Sequence, residues 1–231
     1  MVVRMCKRTK KWLSKPLCCG ILAILMFCLL VLARCQPRHD QVRSTAAIAA
    51  GQTVPVLMYH HLLPRDTNSP LKTNDIVTYT EDFAAQLRWL RENGYHTITV
   101  DELEAFLYEG AVLPEHPVML TFDDGYYNDY VYAYPLLKKY NSKMVFSPIG
   151  RYVDQYSDSD ERNANYTHAT WDDINEMIAS GLVEVQNHTY NMHANQGGRK
   201  GCMRKKGEPV EAYQQALRED VGKMQSRMEE M

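Results

Sequence analysis

Apolar and polar positions alternate in two different periods along most of this chain, and the switch between periods marks its elements. VPVLMYH (54–60), HTITV (96–100), PVMLTF (117–122), KMVFSPI (143–149) and LVEVQ (182–186) read as strands. Of these, 117–122 is a continuous apolar run, as a strand covered on both faces would be. Between them lie segments of helical period. In 81–93 Phe83, Leu87 and Leu90 share one face and Gly94 follows as a stop. Shorter helices are predicted over 101–110, closed by Gly110, through about Tyr130–Tyr140, and over 170–181. A last one starts near Pro209, with Leu217, Val221, Met224 and Met228 on one stripe. Strand-then-helix units repeated in this way predict an α/β fold with a parallel sheet, either an open doubly wound sheet or a barrel. Both arrangements gather chemistry at the carboxyl ends of the strands. Five strands are too few to close a barrel.

The first 53 residues follow a different pattern. Leu17–Ala33 (LCCGILAILMFCLLVLA) is unbroken apolar sequence, about the shortest length able to span a bilayer. Six basic residues precede it, which predicts a cytoplasmic basic segment over 1–16 and a transmembrane signal anchor over 17–33. A cleaved signal peptide, releasing a secreted domain, and a lipoprotein are the alternatives. LARC (32–35) resembles a lipobox with Arg34 where a small residue belongs. Residues 34–53 are small and polar and read as a linker, leaving 54–231 as the extracytoplasmic domain.

Charge and cysteine placement sharpen this division. Eight of the 26 basic residues lie within 1–38, which hold no acid, so the rest of the chain carries 18 basic against 28 acidic residues. A domain of that sign is a poor nucleic-acid binder. Cys6, Cys18, Cys19, Cys28 and Cys35 fall in or beside the apolar run, and Cys202 stands alone in the domain. No disulfide can form within the domain, and there is no paired-cysteine zinc spacing. Nothing in the sequence indicates an oligomeric state.

Two clusters of reactive side chains each follow a predicted strand. One is Thr121-Phe122-Asp123-Asp124-Gly125, the other Asn187-His188-Thr189-Tyr190-Asn191-Met192-His193. Taken singly, the first reads as a turn and the second as two solvated loop histidines. Taken together they supply one carboxylate and two imidazoles, a three-ligand set of the kind that holds catalytic zinc with a position left open for water. A second carboxylate that does not ligate would serve as general base for that water. A cation would also relieve the repulsion between adjacent aspartates. Histidines five apart do not share a face of an ideal helix, so they need a loop to converge.

TFDDG followed by H-T-x-x-x-H, with VPVLMYHH (54–61) upstream, resembles the polysaccharide deacetylases, over about residues 54–225. The resemblance implies a distorted (β/α) barrel, here partial, one divalent metal ion and removal of acetyl groups from N-acetylated polysaccharide. It implies Asp123 as catalytic base and Asp124, His188 and His193 as metal ligands. Asn187 and Thr189 would orient the imidazoles, and Tyr59 and His60 would face the same mouth. Two imidazoles and a carboxylate suit zinc; nickel, cobalt or manganese fit the same set. The family's later arginine-proline, aromatic-acid and leucine-histidine motifs are not found, and the basic stretch 197–208 reads as a solvated loop. Two other readings follow: a catalytically silent carbohydrate-binding remnant, and a metal amidohydrolase acting on a non-sugar amide. An open sheet without its closing strands would expose an edge and leave the fold marginal.

Overall fold

The computed structural model describes residues 53–73 and 75–231. The predicted basic segment and membrane anchor, and the linker up to residue 52, lie outside the described residues. Among the described residues no helix is long and apolar enough to cross a membrane.

All five predicted strands form, and they make one parallel sheet. In chain order the elements are β1 (Val56–Tyr59), β2 (His61–Leu63), β3 (Val77–Tyr79), α1 (Thr80–Glu92), β4 (His96–Thr97) and α2 (Val100–Glu104). They continue with β5 (Pro117–Asp124), α3 (Tyr134–Tyr140), β6 (Met144–Pro148), α4 (Gly150–Ser157), α5 (Trp171–Ala179), β7 (Val183–Val185), β8 (Asn195–Gln196), β9 (Arg199–Lys200) and α6 (Val210–Glu229). The sheet runs β1-β5-β6-β7, with β4 pairing along the start of β5. Register places Tyr59 beside Phe122, Thr97 beside Val118 and Phe122 beside Phe146. β2 and β3 form a separate parallel pair, and β8 and β9 a short antiparallel hairpin.

β5 is covered on both faces, as its unbroken apolar run predicts. Val118, Leu120 and Phe122 pack with Phe83, Leu87 and Leu90 of α1, Leu137 of α3, and Ile174 and Met177 of α5. Met119 joins a smaller cluster with Ile98, Leu113 and Val145. Period-two alternation thus divides one strand between two cores. Burial of side chains as large as Phe122 and Phe146 stabilises the fold by about 1.5–3 kcal/mol each.

Several boundaries differ from the sequence reading for local reasons. HTITV stops being a strand after Thr97 because Thr99 opens a helix. Its side chain accepts from the Glu102 backbone N–H while the Glu102 carboxylate accepts from the Thr99 N–H, a reciprocal cap. The helix predicted over 101–110 is one α-helical turn and then a wider π turn over Ala105–Glu109, ended by Gly110 in the left-handed conformation. The helix predicted from Tyr130 likewise opens with a π turn, Asp129–Ala133. On α6 only Met224 of the predicted stripe is fully buried, and Val221 is exposed. The strands β2 and β3, helix α4 and the β8–β9 hairpin were not anticipated.

Candidate metal centre

Asp123 and Asp124 are the last two residues of β5, opposite Ser147 and Pro148 of β6. Asp123 is half-exposed and Asp124 buried, and the charges of both act on His188 and on Asp129. Asp124 is buried and adopts a left-handed φ of 70°, followed by Gly125 at 84°. A β-carbon on Gly125 would lie 2.5 Å from Pro148 Cβ and 2.8 Å from Pro148 Cα, so this position admits glycine alone. The turn is closed by the Ile149 N–H donating to the Asp124 carbonyl (3.2 Å) and the Ala169 N–H to the Gly125 carbonyl (3.0 Å).

The loop after β7 supplies the histidines, and its own polar groups shape it. Asn187 Oδ1 accepts from the Thr189 N–H (2.9 Å), while its Nδ2 donates to the Val221 carbonyl on α6 (2.9 Å). Thr189 has φ of 72°, costly for a β-branched residue, and its Oγ1 accepts from the Met192 N–H at 3.2 Å. The Asp220 carboxylate accepts from the Tyr190 and Asn191 N–H groups at 2.8 and 2.9 Å. Folded back in this way, the loop brings His188 and His193 to a ring separation of 5.1 Å. Asn187 and Thr189 therefore act on the loop backbone rather than on the imidazoles.

These two elements meet at Asp124. Its Oδ1 lies 3.5 Å from His188 Nε2 and 3.4 Å from His193 Nε2, too far for hydrogen bonds of ordinary length. That oxygen is buried and has no hydrogen-bond partner. One ligand atom from each of the three residues lies within 4.8 Å of the other two. A buried, unpartnered carboxylate oxygen facing two imidazole nitrogens is an unfavourable arrangement without a cation and a suitable one with it. The donor set fits a divalent ion. Burial alone would raise the Asp124 pKa, but His188, His193 and the Tyr126 hydroxyl outweigh it and hold the carboxyl below its usual range. Asp124 in turn raises the His188 pKa against the opposing effect of burial, with a further contribution from Asp123.

Of the other predicted residues, Tyr59 does not face this mouth. It is a core residue, 4.9 Å from Phe122 and 5.1 Å from Phe83 between ring centres, with its hydroxyl donating to Gln86 Oε1. β1 ends there, and it is the next residue but one, His61, that turns inward; His60 is half-buried beside it. Behind the centre lie groups that sequence reasoning missed. Tyr126 donates to Asp124 Oδ2 at 3.1 Å. Its ring packs against those of both His61 and His168. Asp129 is wholly buried with neither oxygen hydrogen-bonded. Burial first, then the charges of Asp124 and Asp123, push its pKa well above the carboxylate range. The adjacent-histidine pair at 60–61 was the one signal pointing toward this layer; His168 stands in a polar stretch with no telling spacing.

Residues 111–231 match the family model for polysaccharide deacetylase. The chain is 37% identical over 119 residues to the poly-β-1,6-N-acetyl-D-glucosamine N-deacetylase of Escherichia coli strain K12, covering 49% of this chain and 18% of that enzyme. The chain thus spans less than a fifth of that relative's length. Among solved structures, a de-N-acetylase from Aggregatibacter actinomycetemcomitans superposes with a TM-score of 0.59 at 30% identity, over 72% of this chain and 70% of that one. IcaB from Ammonifex degensii gives 0.61 at 29% identity, over 77% and 68% respectively. The matched family model takes in Asp123, Asp124 and both histidines, and the chain belongs to the polysaccharide deacetylase family.

Proposed function

We propose that this chain carries the metal-binding and base-bearing part of a hydrolase that removes N-acetyl groups from an extracellular polysaccharide of N-acetylglucosamine. The observation that carries the reading is the buried, unpartnered Asp124 Oδ1 facing His188 Nε2 and His193 Nε2. Those three residues would hold the ion, zinc by donor type, with nickel, cobalt or manganese fitting the same set. A bound ion would supply Lewis acidity for activating a water and polarising the acetamide carbonyl. Asp123, half-exposed, adjacent in the chain to the ligand Asp124 and with its charge felt at His188, is the base that takes the water's proton. The water oxygen bonds to the acetyl carbon, the carbon–nitrogen bond breaks, the proton taken up by Asp123 passes to the sugar nitrogen, and acetate and the free amine leave.

The β-1,6 linkage is the substrate favoured here, because the E. coli relative bears that substrate in its name. Residues 54–231 form the catalytic domain, tethered outside the cytoplasm by the apolar segment 17–33 behind its basic flank. Acetate release by metal-loaded protein should be measured on β-1,6-linked N-acetylglucosamine oligomers and on chitooligosaccharides. Faster release from the β-1,6 series is expected. Preference for the β-1,4 series would overturn the linkage. Metal bound with no acetate from either would favour the silent carbohydrate-binding reading.

A further inference from the structure

The two oxygens of Asp124 have different surroundings. Oδ1 faces the histidines and has no other partner, whereas Oδ2 accepts from the Tyr126 hydroxyl. The successive left-handed residues Asp124 and Gly125 turn the chain so that the side chain two residues on reaches back to the carboxylate. The tyrosine ring is then held by two histidines. His61 stacks on it at 3.5 Å between ring centres, and His168 lies 4.8 Å away at 36°.

Each histidine is itself fixed. Asn128 Nδ2 donates to the Ala164 carbonyl (3.0 Å) and lies 2.9 Å from His61 Nδ1. Asn128 Oδ1 accepts from the Leu62 N–H at 3.0 Å. With that oxygen so engaged, the amide donates to His61, whose own proton is then on Nε2. His168 is placed by the backbone: Tyr127 N–H donates to the Thr167 carbonyl and Ala169 N–H to the Gly125 carbonyl, and the Tyr152 ring stacks on it at 4.5 Å. His168 Nδ1 is buried without a partner, so the residue offers its ring face rather than that nitrogen. Burial also pulls both histidines to a pKa of about 4, which keeps the rings uncharged at neutral pH.

The geometry points to Tyr126 as a positioning residue that commits Asp124 to one-oxygen ligation, with His61 and His168 acting as a ring clamp on the tyrosine. A carboxylate whose second oxygen is held by a hydroxyl cannot swing to bind through both. One-oxygen ligation by Asp124 would leave a bound ion with a position open for water. This rests on the metal reading of Asp124, His188 and His193.

The test uses cobalt(II) as the probe, titrated into the metal-free chain against a competing chelator, with the visible spectrum recorded at saturation. Tyr126→Phe, which keeps the ring, is expected to lower cobalt affinity by about 10–100-fold, the range for groups that orient ligands. Its visible band should also weaken, as a shift from four toward five ligands requires. His168→Ala should move both readouts the same way, and His168→Phe should restore them. An unchanged affinity and spectrum in Tyr126→Phe would overturn the positioning role. Equal defects in His168→Phe and His168→Ala would overturn the clamp. A parent chain that binds no cobalt would overturn the metal reading and this inference together.

Discussion

His61 and His168 are buried and pulled from 6.5 to about 4, chiefly by desolvation, and this makes a signed claim about stability. Above pH 6.5 both histidines are neutral whether the chain is folded or not, so their contribution is fully present. As pH falls toward 4 the unfolded chain takes up a proton at each site that the folded chain refuses, and stability is lost. One such proton is worth about 1.4 kcal/mol per pH unit, so the full window costs on the order of 3 kcal/mol per histidine. Asp129 acts in the opposite direction: its raised pKa keeps a proton in the folded state, so its contribution grows as pH falls. His188, with a raised pKa, contributes fully below 6.5, and Asp124, with a lowered one, loses its contribution only below 3.8. The histidine effect is therefore read as a difference between two proteins. Urea unfolding of metal-free chain and of His168→Phe should be compared at about pH 6 and about pH 4.5. The parent should lose about 1.5 kcal/mol more than the variant across that interval. Equal losses would refute the claim that His168 is held neutral by its surroundings.

Gly125→Ala would force a β-carbon to 2.5 Å from Pro148 Cβ at the end of β5 and β6, besides straining a left-handed φ. A loss of about 3 kcal/mol or more is expected by thermal or urea unfolding, with weakened metal binding; an unchanged midpoint would show that the strands part freely there. Divalent metal should raise the melting temperature, by the equivalent of about 2.7 kcal/mol at a hundredfold excess over Kd, and chelator should reverse it. His188→Ala should abolish that rise while leaving the metal-free melt close to the parent's. Phe122→Ala, emptying a site in the main core, should cost about 3–5 kcal/mol and lower the melt without selectively changing metal affinity.

The parallel sheet was legible because each of its strands is a short apolar run between turn residues, and β5 in particular is apolar on both faces. What blurred was the ends. Thr99-x-x-Glu102 is itself a helix-start signal, and it overrides the strand-like residues of 96–100. α4 escaped notice because it begins at Gly150 with no side-chain cap. That glycine is there for closeness, since a β-carbon would meet Met224 Sδ at 2.6 Å and Tyr190 Cδ2 at 2.9 Å. At the metal centre, Asp124, His188 and His193 were legible as residue types at motif spacing. Their supports were not, because Tyr126, Asn128, His61 and His168 converge through tertiary packing. The end of β1 and start of β2 at residues 59–61 also exchanges the faces: Tyr59 enters the core, and His61 rather than His60 reaches the layer behind the site.

The central claim is metal-assisted removal of acetyl groups with Asp123 as base, and Asp123→Asn tests it most directly. Acetate release from β-1,6-linked N-acetylglucosamine oligomers should be followed in parent and variant protein, each with its bound metal quantified in the same sample. The account predicts metal content equal to the parent's with nearly all turnover lost. Full activity in the variant, or loss of the metal along with the activity, would contradict the division of roles between Asp123 and Asp124.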